Sequence, residues 1–253
     1  MTSQYVRIIR TPNGKVASKV EEIGGETLVY EYGYDMAGRL AQVLLNGQEV
    51  ERYQYDEDGK RTHEVNNLRY IPGRDYVYWQ GDKLYRAGTS TYSHDEVGRM
   101  AGRARHKHAI LCEYGKNEEI TGALLAESGD ILDFLNDQHG RRVMKLRNKQ
   151  PMEMYAWDGH RLAASADHTG REIEYTYCGE DRVPCVITVN GYPFEPVYDQ
   201  VSSLLALLDR DGSVVKRTYY DSFGNVIHDT NPELRIPIGY AGGLYEADLR
   251  FVR

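Results

Sequence analysis

The chain of 253 residues sets 31 Lys and Arg against 38 Asp and Glu, a net charge of −7 at neutral pH. That balance excludes a general nucleic-acid-binding surface, which needs a basic footprint. No apolar run approaches the roughly 18 residues of a membrane helix, and Met1-Thr2-Ser3-Gln4-Tyr5-Val6-Arg7 lacks the apolar core of a signal peptide. There are 21 Tyr but only 4 Phe. Tyr buries a ring while its hydroxyl reaches water or backbone, which suits a sheet with partly wet faces rather than a dry globular core.

One short phrase organises the chain. Two aromatic or apolar residues at i and i+2 precede Asp, two variable residues, Gly and a basic residue. The clearest copies are Tyr32-Gly33-Tyr34-Asp35-Met36-Ala37-Gly38-Arg39 and Tyr53-Gln54-Tyr55-Asp56-Glu57-Asp58-Gly59-Lys60. The phase slips around 62–94, where Tyr78-Trp79-Gln80-Gly81-Asp82-Lys83-Leu84 resembles the later Ala156-Trp157-Asp158-Gly159-His160-Arg161-Leu162. Degenerate copies follow at Tyr92-Ser93-His94-Asp95-Glu96-Val97-Gly98-Arg99, near Tyr114-Gly115-Lys116, and at Phe134-Leu135-Asn136-Asp137-Gln138-His139-Gly140-Arg141. Tyr155, Asp158 and Gly159 continue the series, Cys178 stands where Asp is expected, and Thr218-Tyr219-Tyr220-Asp221-Ser222-Phe223-Gly224-Asn225 ends it. Asp35 to Asp56 and Asp137 to Asp158 are each 21 residues, and Asp199 to Asp221 is 22. A fixed period decides the architecture before any single motif does.

Alternating Tyr share one strand face. Asp ends the strand by accepting backbone N–H bonds from residues just ahead, and Gly supplies a positive φ for the hairpin loop. The basic residue starts the return strand, and a second turn such as Leu45-Asn46-Gly47-Gln48 brings the chain to the next copy. Each period therefore holds two strands and two turns. The expected fold is all-β, an array of antiparallel hairpins forming a curved, spiralling sheet. Its expected divisions are a lead-in over 1–27, the array over 28–228 and a distinct segment over 229–253. Leu204-Leu205-Ala206-Leu207-Leu208 reads as a buried strand entering the hairpin at Asp209-Arg210-Asp211-Gly212-Ser213.

Chemistry is scarce. A calcium loop needs several oxygen ligands at alternating positions, and most copies offer one Asp or two, so the repeated Asp is read as structural and no metal is expected. No nucleophile elbow, H-E-x-x-H or P-loop is present, and Gly239-Tyr240-Ala241-Gly242-Gly243 lacks the context of a dinucleotide site, so no cofactor is expected. His106 and His108 would share a strand face, but the run Arg103-Ala104-Arg105-His106-Lys107-His108 reads better as a solvated strand or loop. Cys112, Cys178 and Cys185 form no CxxC; Cys178 and Cys185 flank a predicted turn and could pair, without indicating a disulfide framework. Trp79 and Trp157, in equivalent phrases, could stack on sugar rings or simply fill one packing slot in their repeats.

The YxYDxxGR phrase resembles the YD repeat of Rhs (rearrangement-hotspot) proteins, of the C component of insecticidal toxin complexes and of teneurins. The stretch Tyr219-Tyr220-Asp221-Ser222-Phe223-Gly224-Asn225, then Pro237-Ile238-Gly239-Tyr240-Ala241-Gly242-Gly243-Leu244-Tyr245 and Leu249-Arg250-Phe251, resembles the start of the Rhs-associated core domain. Tyr240 stands where that family has Phe, and Glu246 where it has Asp. The resemblance implies a β-shell segment that scaffolds or encapsulates a toxin polypeptide, with the rest of an Rhs shell as partner. The alternative is a carbohydrate- or cell-surface-binding repeat module. It also implies a bacterial product that is cytoplasmic before export by a specialised secretion route. The family's aspartyl autoprotease lies on paired D-P-x-G motifs that this chain does not contain, so no enzyme activity is expected. Family shells are several times longer, and the chain reads as the C-terminal portion of one, stopping inside the core-domain motif.

Overall fold

The computed structural model describes residues 4–79, 81–116 and 118–252, side chains at 251 and 252 excepted. Met1, Thr2, Ser3 and Gln80, named above, lie outside the described residues. The fold is all-β and its strand pairings are antiparallel, interrupted by short 3-10 turns at Asn67–Arg69 and Tyr240–Gly242. The chain divides into two compact units, one of residues 1–73 with 176–253, the other of residues 74–175.

The first unit opens with a meander of β1 (Tyr5–Arg10), β2 (Val16–Ile23), β3 (Glu26–Tyr34), β4 (Leu40–Leu45), β5 (Gln48–Tyr55) and β6 (Arg61–Asn66), each paired with the next. The second unit runs from β7 (Ile71–Tyr78), whose first residues belong to the first unit, through β8 (Leu84–Ala87), β9 (Ser90–His94), β10 (Met100–Arg105) and β11 (His108–Tyr114). It continues with β12 (Ile120–Leu125), β13 (Asp130–Asn136), β14 (Arg142–Arg147), β15 (Gln150–Asp158), β16 (Arg161–Asp167) and β17 (Glu172–Thr176). The first unit resumes with β18 (Val186–Val189), β19 (Tyr192–Tyr198), β20 (Leu204–Leu208), β21 (Val214–Tyr220) and β22 (Val226–Asp229), and ends in the short pair β23 (Tyr245–Glu246) and β24 (Phe251–Val252).

Two turn types alternate, as the repeat requires. The tight turns are two-residue loops; at 88–89, 106–107 and 159–160 only the first residue has positive φ, whereas at Gly24-Gly25, Asn46-Gly47, Asn148-Lys149 and Asn190-Gly191 both do. That geometry matches the right-handed twist of the flanking strands. Most of the wider turns carry the Asp, and all but the one at Asp167 are followed by a β-bulge. Tyr34 pairs with Leu40 but Gly33 pairs with Gln42, so Ala41 is the extra residue. Thr62, Ala101, Thr121 and Val143 take the same place in later hairpins. A bulge bends its strand and increases local twist, so one bulge per hairpin is the physical source of curvature within each run of strands. The lead-in behaves alike: Thr11-Pro12-Asn13-Gly14-Lys15 closes β1 and β2 with the same backbone bonds, and Ala17 is its bulge.

The second unit shows the expected alternation. Cys112, Ala123 and Leu132 lie opposite one another across β11–β13 and are buried, whereas Leu111 and Ile131 on the other face are about half exposed (51% and 49%). The first unit instead packs its early hairpins on its late ones. Ile23 meets Leu205 and Ala206. Leu28, Tyr30 and Val43 pack together with Tyr219 against them. Every residue of β20 is buried, as its apolar run suggested.

Charges are buried in that same seam. Arg217 pairs with Glu21, each only a few per cent exposed, and Lys19 Nζ lies 2.6 Å from the same carboxylate. Asn66 Nδ2 donates to Asp221 Oδ2 at 3.1 Å, and Ser222 N–H donates to Glu51 Oε1 at 3.2 Å. These contacts join residues 155 to 196 positions apart. A buried ion pair gains little net stability over an apolar one, but removing one partner strands the other. Glu21→Leu, which removes the acceptor from both Lys19 and Arg217, is expected to destabilise the chain by about 3–5 kcal/mol. The double variant Glu21→Leu/Arg217→Met is expected to recover most of that loss, measured by urea denaturation.

Candidate functional site: the interlocked turns

The repeated turn is built by Asp from its own backbone outward. Asp35 N–H donates to Arg39 O and Gly38 N–H to Asp35 O, both at 2.9 Å. Asp35 Oδ1 accepts Arg39 N–H at 2.8 Å, and Oδ2 accepts the Arg39 guanidinium Nε–H at 2.7 Å. Asp95 with Arg99 and Asp137 with Arg141 repeat all four bonds. Asp56 keeps the backbone cap to Lys60 N–H at 2.8 Å, while the Lys60 ammonium turns to Asp58. Asp167-His168-Thr169-Gly170-Arg171 forms the same turn, although the 21-residue phase does not point to it. The signal was present as Asp-x-x-Gly-Arg without the aromatic pair ahead of it.

Asp158 differs from its expected role. It pairs with Arg161 across a two-residue turn at Gly159-His160 and does not cap a wider loop. Only Gly159 and His160 separate β15 from β16, which leaves no space for the Asp-x-x-Gly geometry.

Adjacent hairpins are joined by the second aromatic residue of each copy. Tyr34 Oη–H donates to Val16 O, Tyr55 to Leu40 O, and Tyr114 to Met100 O, at 2.8, 2.8 and 2.9 Å. Each acceptor is the residue directly after the basic position of the preceding hairpin. The basic side chain reaches the other way. Lys15 Nζ donates to Gly38 O at 2.6 Å, and Arg39 Nη1 to Asp56 O at 2.7 Å. Arg141 reaches Gly159 O. The same cations lie on the same rings: Arg39 is 4.8 Å from the Tyr55 centroid and Arg99 is 4.7 Å from that of Tyr114. Where the repeat is intact, one hairpin therefore holds the next through one ring and one cation.

The first aromatic of each copy goes inward. Tyr53 is 3% exposed, donates to Glu51, and meets the Phe223 ring edge-on at 4.9 Å. Tyr155 is buried and donates to Glu153. Tyr32 stacks near Tyr30 at 6.5 Å. In the last copy it is the second-position residue, Tyr220, that packs on Tyr240, at 5.8 Å.

Trp79 and Trp157 are not equivalent. Trp157 takes the ladder position, its Nε1–H donating to Arg142 O at 2.7 Å. Trp79 takes the Asp position, its N–H donating to Lys83 O at 2.9 Å, and its exposed ring stacks on Tyr85 at 4.2 Å. His106 lies in a turn and His108 begins β11, where it pairs with Glu127, so the two do not share a strand face. Among the described residues no group of three or more His, Cys, Asp or Glu is placed to hold a metal ion. Cys178 and Cys185 form a disulfide, and Cys112 is a buried thiol.

The last wide turns depart from the repeat, with a structural reason. Ser203, Ser213 and Asn225 stand at the basic position of the last three wide turns, and the segment after β22 seats on the first and last of them. Ala241 N–H donates to Ser203 Oγ at 3.0 Å, Leu204 N–H to Gly239 O at 3.2 Å, and Tyr240 Oη–H to Ser222 O at 3.3 Å. An arginine at 203 would lack the hydroxyl that Ala241 uses.

Together these features define a class, an antiparallel β-repeat whose turns are clamped by Asp and whose hairpins are cross-linked by tyrosine and arginine. The Teneurin YD-shell family matches residues 5–253, and the chain belongs to that family. Teneurin-3 of Danio rerio is 28% identical over 243 residues, which cover 92% of this chain and 9% of that protein. Teneurin-4 of Mus musculus is 28% identical over 256 residues, covering 97% and 9%. The chain thus spans less than a tenth of the length of these relatives. The crystal structure of TcdB2-TccC3-TEV is similar with a TM-score of 0.54 at 13% identity, covering 96% of this chain and 17% of that one, a likeness of fold alone.

Gly140 and Gly224 occupy the same turn position at φ +75° and +80°, so alanine strains both alike. A Cβ at Gly140 meets open space, whereas at Gly224 it would lie 2.4 Å from the Tyr240 ring. Gly140→Ala is expected to cost about 1 kcal/mol and Gly224→Ala about 1–3 kcal/mol more, read from urea midpoints. The Arg141 guanidinium, with the backbone N–H groups of Arg141 and His139, holds the Asp137 carboxyl down at about 2 against an ordinary 3.8. A depressed folded value means that this stabilisation is complete above the ordinary value and is lost as pH falls from there through about 2. A carboxyl-carbon NMR titration is expected to place the Asp137 midpoint near that lower value, and Arg141→Leu is expected to raise it.

Proposed function

We propose that this chain is a non-catalytic shell segment that scaffolds or encloses a polypeptide, in the manner of an Rhs-type polymorphic toxin. The observation that carries the reading is the continuity of the clamp. The recurring polar atoms of the repeat are spent on their own turns and on the next hairpin, which builds a wall rather than a convergent catalytic centre. The match to a YD-shell family over residues 5–253 supports the shell itself. The seating of Tyr240 and its neighbours on the turns closed by Asp199 and Asp221 supports a distinct role for 229–253, an end-piece on the array over 28–228. The Cys178–Cys185 disulfide supports an oxidising destination outside the cytosol, reached after export. No helix among the described residues is long and apolar enough to cross a membrane. Sugar stacking, the other reading of Trp79 and Trp157, is weakened because the Trp157 indole is committed to the ladder.

The test is affinity purification of the tagged chain from the cells that make it, followed by limited proteolysis. A shell segment is expected to bring down a polypeptide that resists protease while bound and is digested once released. A chain that purifies alone, or with a partner digested equally fast bound and free, contradicts the proposal.

A further inference from the structure

The first unit contains a cavity of about 170 Å³ between its early and late hairpins, with Tyr32, Tyr220 and Tyr240 among its rings and Glu51 and Asp199 among its acids. Gln200 is exposed and Val201 is 42% exposed, and both line it, so it opens beside the Asp199 turn. The space exceeds that of a few waters, each about 30 Å³, and accommodates a small planar group.

The charge within it is unbalanced. Its one lining ammonium, on Lys19, is committed at 2.6 Å to Glu21 and lies over the Tyr30 ring at 4.5 Å. Asp221 has Asn66 and Asn225 as donors and Arg69 at 3.6 Å. Glu51 and Asp199 pair with no cation among the described residues. Glu51 is 1% exposed and accepts only from Tyr53 and Ser222. Asp199 caps Val201 and Ser203 through Oδ1, and the arginine that would hold Oδ2 in other turns is replaced by Ser203. Burial raises the hydroxyls of Tyr32 and Tyr240, and surrounding acids raise them further, Glu21, Glu51 and Asp199 at Tyr32 and Asp199, Asp221 and Glu51 at Tyr240. Burial and the charge of Asp221 also raise the Glu51 carboxyl, so a cation entering the cavity is expected to favour its charged form.

Two uncompensated carboxylates beside electron-rich ring faces form a receptor for an organic cation, because the ring quadrupole and the carboxylate attract the same charge in a desolvated space. We propose that this cavity binds a guanidinium or ammonium group, which takes the place that the missing arginine holds in the other turns. The group can be carried by a free small molecule or by an arginine or lysine side chain of a polypeptide. This inference goes beyond the shell reading and does not depend on it.

The probe is Nα-acetyl-arginine methylamide, with its citrulline counterpart as a neutral shape-matched control, titrated by calorimetry and by NMR of the tyrosine rings. Saturable binding of the arginine derivative, with shifts at Tyr32, Tyr220 and Tyr240 and none from citrulline, is the expected result. Asp199→Asn keeps an oxygen for the Val201 and Ser203 N–H groups and so preserves the turn. It is expected to weaken binding roughly five- to tenfold, and Glu51→Gln similarly, with circular dichroism unchanged for Asp199→Asn. A short arginine-bearing peptide that binds more tightly than the free derivative assigns the cation to a polypeptide; equal or weaker binding assigns it to a small molecule. Absence of saturable binding, equal binding of citrulline, or an unaffected Asp199→Asn variant overturns the proposal.

Discussion

The structure depends on one compound interaction, in which a carboxylate closes its own turn while the cation it holds reaches the next one. Asp35 orients Arg39 at 2.7 Å, Arg39 donates onward to Asp56 O, and Tyr55 returns a hydroxyl bond to Leu40 O under the same guanidinium. An isolated hairpin is marginal in water. Exposed ion pairs contribute only about 0–1 kcal/mol each, so the stabilising effect lies in repetition. Arg39 and Arg99 each make three kinds of contact at once, with their own Asp, the next turn's carbonyl and the next ring, so that one hairpin is ordered by its neighbour. Stability is then approximately a sum of nearest-neighbour terms, as in other repeat proteins.

Departures from the repeat mark where the molecule does something other than continue. Lysine replaces arginine at position 60 and its ammonium turns to Asp58, followed by the Asn67–Arg69 turn with Tyr70 at positive φ. Gly115 occupies an Asp position and keeps the backbone bonds alone. Ser203 and Asn225 replace the cation where the terminal segment docks, and the acid at Asp199 is left facing a cavity. The buried Glu21–Arg217 pair adds specificity of a different kind, because one register alone brings residues so far apart in the chain into contact.

Much of this was legible in the sequence. Asp followed by Gly at the third position and a basic residue at the fourth encodes a turn through local chemistry, so period, fold class and family could be read from Tyr32–Arg39 and Tyr53–Lys60. The partition of the two tyrosines was not legible, because both lie on one strand face; only packing sends Tyr53 inward and leaves Tyr55 on the ladder. The bulges at Ala41 and Thr62 leave no residue signature, being set by how a five-residue loop meets a twisted ladder. Asp158 misled because Asp-Gly also closes a two-residue hairpin. Trp79 and Trp157 misled because matching phrases enter loops of different length. The pairing of Cys178 with Cys185, only seven residues apart across a turn, was open to reading from the sequence, whereas the cavity depends on contacts between distant hairpins, to which a repeat pattern is blind.

The most direct measurement of the account is a double-mutant cycle on Arg39 and Tyr55 by urea denaturation. Arg39→Ala removes the cation that bridges two turns, and Tyr55→Phe removes the hydroxyl that returns the bond while keeping the ring. If successive hairpins are coupled through this pair, the losses fall short of additivity by about 0.5–1 kcal/mol. Strict additivity would mean that each residue serves only its own hairpin, and would contradict the interlock.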